Sequence, residues 1–191
     1  MSSEMRLYAC SGKRLYLNAD ERRRFRQCAL IAAPEEAFLC LVLLHTGCRL
    51  SEALASDAGS FQRSGLTVSI VTLKRRKPGV VREVPVPREV FASMRRVRNG
   101  RTDGRLLDWH RSTAWRKVSA VLADAGVRGA QAMPKGLRHG FGVNAIQCGV
   151  PLNLLSKWMG HAELKTTAIY ANATGPEERR IAAKTWRGLN T

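Results

Sequence analysis

PKGLRHGFGVNAIQCGVPLNLLSKWMGHAELKTTAIYAN, residues 134–172, is the stretch that decides the reading of this chain. It strings together a Lys-x-x-Arg pair (Lys135, Arg138), a Gly-His pair (Gly160, His161) and a lone Tyr170. Arg138 and His161 are 23 residues apart, and His161 and Tyr170 are 9 apart. Far upstream, residues 46–52 read TGCRLSE and contribute Arg49 and Glu52. Two arginines, lysines, a histidine and a tyrosine, without an acidic metal cage, are what metal-free chemistry on a phosphodiester needs. The rest of the chain reads as scaffold for that set.

Outward from this stretch, apolar spacing predicts helices over 137–148, 151–157 and 163–171. A last helix over 176–186 is set off by the Gly175-Pro176 break. Upstream, Asn18 and Glu21 resemble a capping box opening a helix to about Ala32. Pro34 fits the first turn of the next helix, which Gly47 ends. The apolar stripe Phe38, Leu41, Val42 and His45 on that helix should be buried, and Arg49 should start a short third helix. Residues 67–73 and 80–86 are β-branched and alternate, flanking Lys74-Arg75-Arg76-Lys77-Pro78-Gly79. This predicts a hairpin with a cationic tip, its second strand held short and at an edge by Pro85 and Pro87. Further helices are expected over 88–98 and 112–125, with Ser112 as cap. The expected fold is mainly α with one small antiparallel β-sheet (α+β). Residues 1–17 would be a lead-in arm, 18–175 the catalytic domain, and 176–191 a carboxy-terminal helix packing on its own domain or in trans on a neighbouring protomer.

The 191 residues suffice for one well-buried domain, and 45% of them are apolar. Against 15 acidic side chains stand 32 Lys and Arg, a net charge of +17. Such an excess favours a polyanionic partner through counterion release, and nucleic acid is the expected polyanion. The five cysteines (Cys10, Cys28, Cys40, Cys48, Cys148) form no C-x-x-C pair and read as core hydrophobes in a reducing compartment. No amino-terminal run has secretory character, and the longest apolar stretch is too short to span a bilayer. A cytoplasmic, DNA-associated protein is expected.

A phosphodiester under attack gathers charge on its non-bridging oxygens, and a planar guanidinium meets two of them at once. Arg49 and Arg138 are the candidates for that clamp. A lone histidine is usually structural, but His161 after Gly160 at a helix-to-helix turn could donate to a phosphate oxygen. Tyr170 is the candidate nucleophile. A phenol titrates near 10, and clustered cations would favour its phenolate. Attack would store the ester's energy in a phosphotyrosyl bond, so religation would need no ATP. Lys74 at the mouth of the hairpin, in preference to Lys77, would protonate the leaving 5′-oxygen. Arg75, Arg76 and Lys77 could grip backbone phosphates. The four histidines are scattered, with no carboxylates at ligand spacing, so neither metal nor other cofactor is expected.

Taken together, these residues resemble the catalytic domain of the tyrosine recombinase (phage integrase) family. TGCRLSE resembles the family's first arginine box, Lys74 its hairpin lysine, and LRHGF, MGHA and the Tyr170 context its second box and nucleophile. The resemblance covers about residues 17–170. It implies that Arg49, Arg138 and His161 bind the scissile phosphate, that Lys74 is the acid and that Tyr170 is the nucleophile, with Glu52 orienting the site. Two departures stand out. The second box usually opens with His, where this chain has Lys135, which contributes charge but no neutral imidazole; type IB topoisomerases carry lysine there. His139 reads as a packing or supporting residue, not a substitute base. The amino-terminal DNA-binding domain of typical integrases is not matched, so target selection would rest on this domain, on self-association on DNA up to a tetramer, or on an accessory DNA-binding protein. The expected activity is site-specific recombination of double-stranded DNA of the kind carried by mobile elements. The rivals are a topoisomerase-like relaxing activity and a DNA-binding accessory protein without turnover.

Overall fold

The helix α2 (Pro34–Thr46) is apolar on every face, and the chain wraps it accordingly: all residues from Ala37 to Leu44 are buried. The sequence stripe of Phe38, Leu41 and Val42 is therefore only part of a helix buried all round, while His45 at its end is half-buried and bonded to Glu89. The computed structural model describes residues 6–73, 79–98, 104–172 and 176–186. Among these, α2 packs against α1 (Ala19–Ile31), α4 (Arg88–Arg98), α5 (Arg111–Asp124) and α6 (Pro134–Gln147).

The capping box that opens α1 is present in both directions: Asn18 Oδ1 accepts from the Glu21 amide at 2.8 Å, and Glu21 Oε2 accepts from the Asn18 amide at 2.9 Å. Glu21 also holds Arg14 and accepts from Gln131. The lead-in described from residue 6 is thereby fastened to the body, with Leu7, Tyr16 and Leu17 buried. After α2, the turn at Gly47 leads to α3 (Leu50–Leu54) with Arg49 as its N-cap. A 3-10 turn (Ala58–Ser60) and the two-residue strand β1 (Phe61–Gln62) follow; neither has a sequence signal. The hairpin strands β2 (Thr67–Val71) and β3 (Val81–Pro85) pair antiparallel, in the order β1-β2-β3, so β3 lies at the edge where its prolines fit. Its tip, with Lys74, Arg75, Arg76 and Lys77, lies outside the described residues.

Several expected boundaries move. His110, not Ser112, caps α5, accepting from the Ser112 amide. Helix α6 begins at Pro134 instead of 137, because proline suits a first turn that needs no donor. Arg138 thus sits in its second turn and does not open it. Helix α7 (Leu152–Met159) ends at Gly160, and the expected helix over 163–171 splits into α8 (Leu164–Ala168) and a 3-10 turn (Ile169–Asn172) that carries Tyr170. Helix α9 (Pro176–Thr185) packs on α6 of its own chain, with Lys184 donating to the Gln147 carbonyl. Of the cysteines, only Cys40 and Cys48 are buried core residues; Cys10 and Cys148 are exposed, contrary to expectation. Among the described residues no helix is long and apolar enough to cross a membrane.

Candidate active site

The corner after α2 does two jobs. Thr46 Oγ1 donates to the Val42 carbonyl (2.7 Å) and accepts from the Cys48 amide (3.1 Å), which fixes the turn. Gly47 takes φ 60°, and a Cβ there would lie 2.4 Å from the Phe141 ring, so glycine is required twice over. The turn delivers Arg49 to the start of α3 and leaves the Gly47 carbonyl facing α6. There Arg138 Nη1 donates to it at 2.5 Å, while Nη2 donates to the Met159 carbonyl at 2.8 Å. Two backbone carbonyls, one from each flanking corner, therefore aim the Arg138 guanidinium. Burial lowers its pKa to about 10, which leaves it protonated at neutral pH.

His161 lies 2.9 Å from Arg138 Nη2 through Nε2, and 2.7 Å from Thr167 Oγ1 through Nδ1. A guanidinium only donates, so Nε2 accepts and the proton resides on Nδ1. Burial first, then Arg138, Arg49 and Arg82, pushes this imidazole down to about 3, so it is neutral. Glu52 is the acidic hinge of the site. Its Oε1 accepts from Arg49 Nη1 (3.0 Å), and its Oε2 from the Arg49 amide (2.9 Å) and from Arg82 Nη2 (2.6 Å). Its side chain is wholly buried. Burial opposes ionisation, but Arg82 and Arg49 together hold its carboxyl below the usual range.

Tyr170 is completely buried. Its ring fills a slot in α6 where Gly142 lacks a side chain; a Cβ there would come within 2.6 Å of the ring. The ring stacks on His161 (centroids 6.2 Å apart, planes at 10°), and its hydroxyl sits 3.2 Å from His139 Nδ1. The expectation that cations favour the phenolate does not hold in this state: burial outweighs Arg138 and Arg49 and raises the pKa to about 12. His139 is buried as well, and burial followed by the charges of Lys135 and Arg138 lowers it to about 4. Lys135 itself is exposed on the first turn of α6. So Arg49, Glu52, Arg138, His161 and Tyr170 come together, with Lys135 on the same helix as Arg138. Lys74, Arg75, Arg76 and Lys77 lie outside the described residues, and only the strands leading to them are seen. Among the described residues no three His, Cys, Asp or Glu side chains gather as a metal-ligand set.

Sequence reasoning missed Arg82, Thr167 and Gly142. Arg82 carried one readable signal, since it falls on the inward phase of β3 where a strand normally places an apolar side chain. A cleft of about 360 Å³ opens beside it, lined in part by Thr72, Arg82, Lys157, Gly160 and His161.

This architecture is the one found in solved integrase and recombinase catalytic domains. The catalytic domain of bacteriophage HP1 integrase matches with TM-score 0.65 at 20% identity, covering 92% of this chain and 96% of that one. The XerH site-specific recombinase bound to its difH substrate, a pre-cleavage complex, matches with TM-score 0.72 at 18% identity over 94% of this chain and 60% of that one. In sequence, residues 15–176 match the phage integrase family, and the chain belongs to it. Tyrosine recombinase XerA of Pyrococcus furiosus is 27% identical over 152 residues, 73% of this chain and 50% of that protein. The chain spans about half the length of the curated relatives it matches.

Proposed function

We propose that this domain cleaves and rejoins double-stranded DNA at specific sites through a 3′-phosphotyrosyl intermediate, as a site-specific recombinase or integrase working without ATP. The observation that carries this reading is the convergence of Arg138, His161 and Tyr170, from three separate elements, next to an Arg49 held by Glu52. Arg49 and Arg138 take the non-bridging oxygens of the scissile phosphate and stabilise the charge that grows on them. His161 starts as a neutral acceptor for Arg138. Because the Thr167 hydroxyl can donate as well as accept, the His161 proton can move to Nε2 and face the phosphate when it arrives. Once DNA has drawn it from its slot, Tyr170 Oη releases its proton to solvent as it attacks phosphorus, the P–O5′ bond breaks, and the leaving oxygen takes a proton from Lys74. A second 5′-hydroxyl reverses the sequence. Lys135 adds charge at the mouth of the site, and Arg75, Arg76 and Lys77 hold the DNA backbone.

The buried, neutral Tyr170 makes the state seen here a resting one. DNA binding must shift the short α8 and 3-10 segment to bring Oη to phosphorus. The XerH relative was solved with its difH substrate, which supports DNA as the partner here. Self-association on DNA up to a tetramer, help from an accessory DNA-binding protein, and a cytoplasmic, DNA-associated location complete the proposal.

Nicked suicide duplexes carrying the target site test it. The wild-type chain should form a covalent protein–DNA adduct on a denaturing gel, and Tyr170→Phe should form none. An adduct of equal yield from Tyr170→Phe would remove Tyr170 as nucleophile. Plasmid relaxation at low protein concentration without recombinant product would point instead to a topoisomerase-like activity. DNA binding with no adduct from the wild type would point to an accessory protein.

A further inference from the structure

We infer that Arg82 is the positioning residue that holds the catalytic parts in register. This rests on the recombinase reading above. The side chain springs from β3, and its exposure is only 3%. Its guanidinium donates to three different elements: Nη2 to Glu52 Oε2 at 2.6 Å, Nη1 to Thr72 Oγ1 at 2.8 Å and Nε to the Trp158 carbonyl at 2.8 Å. Each of these partners stands beside a residue assigned a role in the chemistry. Glu52 carries Arg49. Thr72 lies at the exit of β2, two residues before Lys74. Trp158 is in the last turn of α7, three residues before His161.

The surroundings are shaped to admit this group. Gly160 takes φ 65°, and a Cβ there would lie 2.9 Å from the Arg82 guanidinium carbon, so the corner before His161 leaves room for the guanidinium plane. Electrostatics require it too. Glu52 is a buried carboxylate, and Arg49 alone, itself 30% exposed, would leave Oε2 with only the Arg49 amide. A buried carboxylate that has lost one of its two cationic partners turns or takes up a proton, and either response releases Arg49. A lysine could meet one of the three acceptors but not all, because the fork geometry is planar and fixed. Arg82 itself does not touch the phosphate; it acts through Glu52, Thr72 and the Trp158 carbonyl.

The test is single-turnover adduct formation at saturating duplex, read beside DNA affinity and the thermal midpoint. Arg82→Met should slow adduct formation about 100-fold while DNA affinity changes less than about 3-fold, because an aiming error acts on the transition state more than on binding. Arg82→Lys should recover part of the rate. If Arg82→Met costs the fold, the double variant Glu52→Gln with Arg82→Met, which removes both buried charges, provides the second measurement. It should fold and be slower than Glu52→Gln by well under the about 100-fold expected of Arg82→Met, since the Glu52 route is already cut and only the Thr72 and Trp158 holds remain to be lost. Three results would overturn the inference: Arg82→Met at the wild-type rate, equal losses in rate and affinity, or a double variant whose loss is the product of the two single losses. Failure of the wild type to form an adduct would instead remove the recombinase reading and take the positioning role with it.

Discussion

Among the described residues two apolar clusters form, unequal in size, and the candidate site lies on the seam between them. The large cluster surrounds α2 with side chains from α1, the sheet, α4 and α5, and includes Phe25, Phe38, Leu41, Phe91 and Leu122. The small one lies on the far side of α6, built from Leu7, Tyr16, Phe141, Leu155, Met159 and Tyr170 itself. Arg49 and Glu52 grow from the end of the large cluster, while Tyr170, the proposed nucleophile, is a member of the small one. The two arginines proposed to clamp the phosphate thus adjoin the larger cluster, and the proposed nucleophile is held by the lesser packing. Fewer apolar neighbours mean a lower cost of local displacement. The division fits the proposed roles, a fixed set of charges and a displaceable Tyr170.

Substitutions can break this comparison. The largest stability effect should come from Leu41→Ala in the large cluster, a loss of about 3 kcal/mol in chemical denaturation. The folded fraction should still form adduct at close to the wild-type rate, and a severe rate loss in that fraction would show that the large cluster does more than hold the clamp. Gly142→Ala should do the reverse. It adds a methyl group where the Tyr170 ring lies, costing about 1–2 kcal/mol by overpacking. It should also slow adduct formation at least about tenfold, because the nucleophile is displaced. Unchanged rates would mean that the resting slot of Tyr170 does not bear on its approach to DNA.

Acid should act on the seam. His139 falls from its ordinary 6.5 to about 4, and His161 to about 3, both mainly through burial. With the folded values depressed, the unfolded chain takes up protons first as pH drops. Stability present above about pH 6.5 is therefore lost down to about pH 4, on the order of 2–3 kcal/mol for His139. Glu52 adds to the loss below about its ordinary 4.5, since its folded value is also depressed. Urea midpoints at pH 7, 5.5 and 4 should fall steadily for the wild type and less steeply for His139→Gln. Parallel slopes would show that His139 is protonated in the folded chain.

Much of this was legible before folding. The capping box at Asn18, the proline start of α2, the hairpin and its edge strand all follow from local chemistry. The candidate site came from resemblance instead: the surroundings of Arg49, Arg138, His161 and Tyr170 are similar to the family's motifs. What was not legible has one cause. The burial of Arg82, the splitting of the helix around Tyr170 and the slot at Gly142 depend on what packs against each residue from a distant part of the chain. Local period carries no information about that.

By itself the sequence determined which side chains are available, their order, and that the chain is mainly helical with one antiparallel strand pair. Only the tertiary structure decided their state. Dehydration in the seam makes Tyr170 a neutral phenol despite its arginine neighbours, and turns Glu52 and Arg82 from scattered charges into one buried pair. The energy of a charge is set by what surrounds it in space, and that is fixed only once the chain has closed upon itself.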